Sequence, residues 1–365
     1  MKITKVETIV FNLPMLIEGS VVPKPGGTPR TSVNTLLVRV DTDEGVTGWG
    51  EGFGSRIYGA TKSVIDSILG PLCVGRDPTA INELTDHLQH SLGSAGRNGP
   101  AMYALSAIDI ALWDIAGKLA RLPLYRLMGG SPRKDLPGYA SLLRYEDAGA
   151  ITHHVERALK RGFGHIKLHE TTVAAIKVGR DAAGPDTQIM VDVNCAWPVN
   201  QAVEMARKLQ PFNLKWLEEP VWPPEQHAGI ARVRTRGGVP TAAGENAMFF
   251  DFKSMFEAGA LAYAQPSVAK VGGVTQLRKV MVLAEAYGVD VVPHSAYFGP
   301  GLLASIHCIA AMPSEGLVER YDIDFAVNPL HDAIHPDKNG RFAIPQGPGL
   351  GVDPDLDVIE KYRIA

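Results

Sequence analysis

The hydrophobic pattern of this chain changes near residue 136. Before that point, residues 3–13 and 35–42 are rich in Val, Ile, Leu and Thr and end in turn residues, which predicts two strands of an antiparallel sheet. The intervening segment, 17–31, carries Pro23, Pro25, Gly26, Gly27 and Pro29 and reads as a loop. Residues 48–54 read as a strand end and a mobile loop. Within them, Gly48-Trp49-Gly50-Glu51-Gly52 lacks the GxGxxG spacing and opens no helix after a parallel strand, so no dinucleotide fold is indicated. Residues 61–128 read as helical, and between 101 and 119 apolar residues recur at helical spacing with Asp109 and Asp114 among them. Beyond 136, short apolar runs at 138–142, 165–168, 189–193, 215–217, 239–243, 261–264, 289–292 and 316–318 alternate with helix-like stretches. Eight such units predict a barrel of parallel strands inside a ring of helices; an open sheet would share the alternation, and the count alone does not choose between them.

The polar residues that close these runs carry the functional signal. Lys167, Asp192, Glu218, Glu245, Ser267, His294 and Glu319 follow one another at intervals of 25, 26, 27, 22, 27 and 25 residues, each about one strand-helix unit. Each therefore falls at the C-terminal end of a successive strand, and in a barrel those ends converge on one mouth, where active sites are built. All but Ser267 are ionisable.

Asp192, Glu218 and Glu245 would stand on three adjacent strands. Taken singly, an acidic residue is most often a solvated or ion-paired surface group. Three of them at matched strand ends cannot share a mouth unless a cation neutralises them. Oxygen ligands call for a hard cation, and Mg²⁺ fits best because it keeps positions open for substrate oxygens.

Charge narrows the partner. A net charge of -3 leaves no large basic face, which argues against nucleic acid or an anionic membrane and for a small molecule. Cys73, Cys195 and Cys308 are an odd number with no CxxC spacing, so neither a disulfide framework nor a zinc site is expected, and a reducing cytoplasm fits. The N-terminus lacks the apolar core of a signal peptide, and no apolar run reaches membrane-spanning length.

The residues and motifs together resemble the enolase superfamily, and within it the mandelate racemase subgroup, over nearly the whole chain. Residues 104–130 are similar to the family's junction between capping domain and barrel, Trp216 to Pro220 to its second metal-ligand motif, Lys270 to Thr275 to the Gly-Gly turn after strand 6, and Gly347 to Pro354 to its C-terminal tail. The resemblance implies an α/β architecture: a modified (β/α)7β TIM-like barrel with an α+β capping domain formed by the N-terminal region and the C-terminal tail. Its divisions would be 1–128 for the cap, 129–325 for the barrel and 326–365 for the returning segment. It also implies Mg²⁺ on Asp192, Glu218 and Glu245, and a homo-oligomer.

Two positions depart from the subgroup's pattern. Its strand 2 ends in Lys-x-Lys, whereas here the run is Lys167-Leu168-His169. Residues i and i+2 of a strand point the same way, so both groups address one face of a substrate. By position His169 is the base, while Lys167 contacts the substrate carboxylate and disfavours protonated imidazole by like charge. Opposite, His294 matches the strand 7 histidine, but Ser267 occupies the place of the Asp that usually orients it. A hydroxyl still holds one imidazole nitrogen without supplying charge to stabilise imidazolium, which makes His294 a weaker base, one that can nevertheless deliver a proton or hydrogen-bond a departing hydroxyl. No nucleophile elbow surrounds Ser267, so a hydrolase reading is poor.

Glu319 aligns with the acid that hydrogen-bonds the substrate carboxylate; if protonated, it would stabilise an enediolate. Asn194 and Tyr297 are expected near the substrate, and Lys24, Arg56 and Tyr58 are assigned to the mouth by analogy, with solvated loop residues as the default for these three. Loops at 17–31 and 50–61 would set specificity. The implied activity is Mg²⁺-dependent removal of the proton α to a carboxylate, with dehydration of a sugar acid to a 2-keto-3-deoxy acid as the leading reaction. Racemisation, epimerisation or cycloisomerisation of a lactone is the alternative within the family, and a non-catalytic acid-binding or scaffolding barrel the alternative outside it.

Overall fold

A computed structural model describes residues 1–16 and 31–364. Strands β1 (Ile3–Leu16), β2 (Ser32–Thr42) and β3 (Thr47–Gly52) form an antiparallel sheet in which Val6 pairs with Val40 and Phe11 with Thr35. Alternate side chains of a strand leave opposite faces, and here both faces are covered. Val10, Leu36, Val38 and Val40 pack on the helices of the same domain, whereas Ile9, Phe11, Leu13 and Leu37 belong to the cluster that continues into the barrel. The sheet is thus the middle layer of the molecule.

The segment expected to be a strand end and mobile loop is strand β3 over most of its length. Its alternating glycines, which remove the Val/Ile signal of a strand, admit the long helix Pro100–Ala120: a Cβ on Gly50 would lie 1.9 Å from the Ala107 carbonyl oxygen, and one on Gly48 2.2 Å from that of Ala111. The helical stretch predicted over 61–128 is broken. Helices Ile81–Ser91, Pro100–Ala120 and Leu124–Leu127 are separated by loops, and the first part is a continuous run of short helical segments from Ser55 to Cys73.

Eight parallel strands follow: β4 (Asp135–Ser141), β5 (His165–Leu168), β6 (Gln188–Asp192), β7 (Trp216–Glu218), β8 (Thr241–Ala243), β9 (Tyr263–Ala264), β10 (Asp290–Val291) and β11 (Val318–Tyr321). They pair in sequence order from β4 to β10, and β11 lies beside β4, with seven helices between the eight strands. This is the (β/α)7β barrel. All eight predicted runs overlap these strands, with ends displaced by a few residues.

Among the described residues no backbone ladder joins β10 to β11; a side chain closes that seam. Ser295 Oγ accepts from Glu319 N at 3.0 Å and donates to Glu319 O at 3.3 Å. Beneath the mouth, Tyr139, Met190, Trp216, Ala242, Val292 and Leu317 fill the interior with an apolar plug. After β11 the chain returns to the cap. Strand β12 (Asp324–Phe325) pairs with Met15 and Leu16, and Ile364 N donates to Val10 O. Strand β13 (Arg341–Ala343), which sequence patterning did not suggest, runs antiparallel to β4. No helix among the described residues is long and apolar enough to cross a membrane.

Candidate active site

Strand register brings the predicted groups together. Asp192 and Glu218 are direct partners across β6 and β7, so their side chains leave the sheet in the same direction. Lys167 pairs with Met190, two residues before Asp192, which puts the lysine on that same face. Glu319 pairs with Tyr139, an interior residue of the plug. Oxygens of Asp192, Glu218 and Glu245 all lie within 4.8 Å of one another.

Lys167 is 1% exposed, and its Nζ lies 2.9 Å from Glu218, 2.8 Å from Glu319 and 3.7 Å from Asp192. Burial alone would lower its pKa, but Glu218 and then Glu319 outweigh this and hold the ammonium well above its ordinary range. Glu319 responds in the opposite sense. Burial would raise it, yet Lys167 and next His294 pull it down to about 2, so Glu319 is ionised rather than the acid that the sequence reading considered. The expectation that Lys167 keeps His169 neutral by like charge is also corrected. The lysine's charge is matched by carboxylates, and the group facing His169 Nε2 is Asp192 Oδ2, at 3.2 Å.

The other ring nitrogen of His169 lies 2.5 Å from the carbonyl oxygen of Leu142. A carbonyl only accepts, so Nδ1 carries the proton and Nε2 is the nitrogen that exchanges one with the site. Arg144 reinforces this arrangement, donating to His169 O at 2.5 Å and to Asn194 Oδ1 at 3.1 Å. Asn194 in turn donates its amide to both oxygens of Asp192 at 3.1 Å, which steadies the carboxylate from the exposed side.

On the opposite face, Ser267 pairs with His294 by a parallel bridge, and its Oγ is 3.3 Å from His294 Nδ1. The Tyr297 hydroxyl also meets Ser267 Oγ. Tyr297 is buried, so its described polar contact is this hydroxyl and not the open mouth. His294 Nε2 faces Glu245 Oε2 at 3.1 Å.

Sequence reasoning missed three contributors. Lys270 lies 3.3 Å from Glu245 and 3.0 Å from Asn246, and Phe53, from the cap, has its ring centroid 4.3 Å from the same ammonium. Burial would raise the Glu245 pKa, but Lys270 first and His294 second hold it well below the carboxylate range. Glu219 is buried beside the triad, and burial, then Glu245 and Asp192, push it well above that range. The signal for Glu219 was present in the Glu218-Glu219 pair, and that for Lys270 in the run that leads into the Gly-Gly turn. Phe53 had none, because it reaches the site only through the docking of the two domains. Arg56 is exposed in the turn Ser55–Ile57, Tyr58 packs against the cap's own core, and Lys24 lies outside the described residues.

Five carboxyl groups, Asp192, Glu218, Glu219, Glu245 and Glu319, thus face two ammonium groups, Lys167 and Lys270. Burial pushes Glu218 up to about 7, which marks an anionic centre short of positive charge. The triad's spacing and all-oxygen donor set suit a hard divalent cation. Backbone torsions of φ 47° at Asn194, 58° at Cys195 and 43° at Glu219 place non-glycine residues in the left-handed region around it. Such strain is commonly stored at functional sites.

Known proteins share this architecture. Residues 20–129 match the mandelate racemase / muconate lactonizing enzyme N-terminal domain, and residues 150–358 the enolase C-terminal domain-like family. The chain is 31% identical over 351 residues to the D-galactarolactone cycloisomerase of Agrobacterium fabrum, covering 90% of this chain and 91% of that one. It is 33% identical over 369 residues to a D-galactonate dehydratase of Ralstonia nicotianae, covering 93% and 94%. A crystal structure of a racemase from Streptomyces coelicolor A3(2) with bound magnesium superposes with a TM-score of 0.86 at 29% identity, covering 99% of this chain and all of that one. With both domains matched and the barrel mouth built as described, this chain belongs to the mandelate racemase subgroup of the enolase superfamily.

Proposed function

We propose that this protein removes the proton α to the carboxylate of a sugar acid and expels the neighbouring β-hydroxyl as water, giving a 2-keto-3-deoxy acid. The observation that carries the reading is the triad Asp192, Glu218 and Glu245, flanked by Lys167 and His169 on one side and His294 on the other.

The triad would hold Mg²⁺, which supplies Lewis-acid stabilisation of the charge that develops on the substrate carboxylate. The remaining work belongs to the chain's own groups. His169 takes the α proton on Nε2, because Leu142 O occupies its Nδ1. Lys167 donates to the carboxylate as negative charge moves onto it, and its well-raised pKa keeps it a cation throughout. His294 gives a proton from Nε2 to the departing hydroxyl. The enol that remains tautomerises to the 2-keto acid. Asn194 and Arg144 hold Asp192 and His169 in place, and the cap's Phe53 covers the Lys270 side.

A cycloisomerase is the second reading, favoured by the Agrobacterium fabrum relative. It begins with the same abstraction and differs in what leaves the neighbouring carbon. A non-catalytic barrel has no comparable support, since the relatives that match nine-tenths of the chain are enzymes. The test is incubation of a panel of sugar acids and their lactones in D₂O with Mg²⁺. A 2-keto-3-deoxy product that carries deuterium at C3 supports dehydration; a ring-opened or ring-closed isomer supports cycloisomerisation; neither product nor α-proton exchange with any acid contradicts the proposal.

A further inference from the structure

Three permanently cationic side chains meet at the barrel mouth, and carboxylates match two of them. Lys167 lies against Glu218 and Glu319, and Lys270 against Glu245. The third, Arg144, half-buried in the loop after β4, meets no carboxylate among the described residues. Its Nε donates to the backbone oxygen of His169 at 2.5 Å and its Nη2 to Asn194 Oδ1 at 3.1 Å, and both acceptors are neutral. Arg157 and Arg161, at the end of the helix that follows, are the contrast: both reach Asp324.

A guanidinium carries five N–H groups in one plane. Two are used here. The three that remain include at least one on each Nη nitrogen, and that pair of parallel donors fits a carboxylate bidentately. The fold also holds the group still. Glu170 is 1% exposed and accepts from Tyr145 N at 2.8 Å and from Glu146 N at 3.3 Å, which ties the backbone after Arg144 to the residue that follows His169. The Tyr145 ring is buried and stacks on His154 with centroids 4.3 Å apart. A donor fixed before its ligand arrives loses little freedom on binding.

The position of Arg144 decides which anion it meets. Asn194 bridges it to Asp192, so it stands one amide group away from the triad and on the His169 side of the mouth. The carboxylate beside the reacting carbon is taken by the triad's cation and Lys167. An anion at Arg144 is therefore a second charged group, carried farther along the same molecule. We propose that Arg144 is a specificity-determining residue that receives the distal carboxylate of a sugar diacid, or of that diacid's monolactone, so that dicarboxylates are the preferred substrates. The substrate class rests on the function proposed above; the anion subsite at Arg144 does not.

The test uses pairs of six-carbon aldonic and aldaric acids matched in configuration from C2 to C5, which differ only in CH₂OH against carboxylate at C6. Binding is measured by isothermal titration of Mg²⁺-loaded His169→Asn protein, which keeps the backbone oxygen that Arg144 meets and is expected to consume no acid; α-proton exchange by wild type is followed in parallel. In the best-bound pair the aldarate is expected to bind roughly 10- to 100-fold more tightly than the aldonate, the usual worth of hydrogen bonds to a charged group. Adding Arg144→Gln should erase that preference, and adding Arg144→Lys should leave part of it, because an ammonium keeps the charge without the fork. The ratio is the readout because loss of Arg144 also loosens His169 and Asn194, which weakens both acids alike. Equal affinities in every pair, or a preference that folded Arg144→Gln retains, overturns the proposal. An aldarate preference that depends on Arg144, with no acid exchanging its α proton, contradicts the function proposed above and leaves the subsite standing. Exchange of aldonates without any such preference removes the subsite and leaves that function standing.

Discussion

Two sets of carboxylates in this molecule, one at the seam between cap and barrel and one at the barrel mouth, keep different company. At the seam between cap and barrel, Glu51 accepts from Gly301 N at 2.9 Å and Asp109 from Thr275 N at 3.0 Å. These acids meet backbone N–H groups, and burial pushes both up to about 7. At the barrel mouth the acids are crowded together with lysines and histidines, and Glu245 and Glu319 are held down by those neighbours. An isolated acid docked on amides is a fastening between domains. Clustered acids with a shortage of positive charge form a site that a cation completes. Burial alone does not separate the two; the company of each carboxylate does.

The largest effect should follow from breaking the cluster. Asp192→Asn, Glu218→Gln or Glu245→Gln removes a charged ligand, and each is expected to weaken Mg²⁺ binding by more than ~100-fold, beyond the usual cost of losing an outer partner. Isothermal titration with Mg²⁺, alongside turnover, measures this; retained affinity in all three variants would remove the triad from the account.

The next effect sharpens the division of labour within the mouth. His169→Asn is expected to abolish α-proton exchange by roughly 10²- to 10⁴-fold, the usual worth of a general base. His294→Asn should keep exchange but lose product. Deuterium incorporation followed by mass spectrometry distinguishes them, and the opposite pattern would reverse the assigned roles.

At the seam the response is in stability and depends on pH. A carboxyl whose folded pKa is raised contributes stability that is fully present below its unfolded pKa and is lost as pH rises through about 7. Glu51→Gln and Asp109→Asn should therefore flatten the decline in Tm between the ordinary carboxylate pKa and about 7, each relieving at most roughly 3 to 4 kcal/mol at the upper end. Parallel Tm curves for wild type and both variants would show that these acids are not held neutral. The smallest change is expected from Ser295→Ala, which removes the hydroxyl that bridges both backbone groups of Glu319. Leaving them unpaired costs about 1–3 kcal/mol, read as a lower denaturation midpoint with Mg²⁺ affinity retained.

Much of the barrel was legible because each strand is a short apolar run closed by a polar residue, so position along the chain maps onto position around the mouth. The polar ends Lys167, Asp192, Glu218, Ser267, His294 and Glu319 are brought together by register alone. What patterning could not supply depends on packing between distant segments. Strand β3 was obscured because its glycines answer to the helix Pro100–Ala120 and not to their own strand. The Gly-Gly turn after β9 was visible as a motif, but its reason was not. Gly273, at φ 81°, has no room for a Cβ because the Asp109 carboxylate would lie 2.2 Å away. The roles of Lys270, Phe53 and Tyr297 likewise follow from neighbours in space. Even the electrostatic argument for His169 needed coordinates, since it turned on which charged group lies closest.

The central claim is that the carboxylate cluster becomes a catalyst for α-proton removal when a divalent cation balances it. The direct measurement is the rate of α-hydrogen exchange in D₂O for the sugar-acid panel, with the protein freed of metal by chelation and then titrated with Mg²⁺. Exchange that is absent after chelation and returns with saturating Mg²⁺ is the result expected; exchange that persists undiminished in the chelated protein contradicts the account.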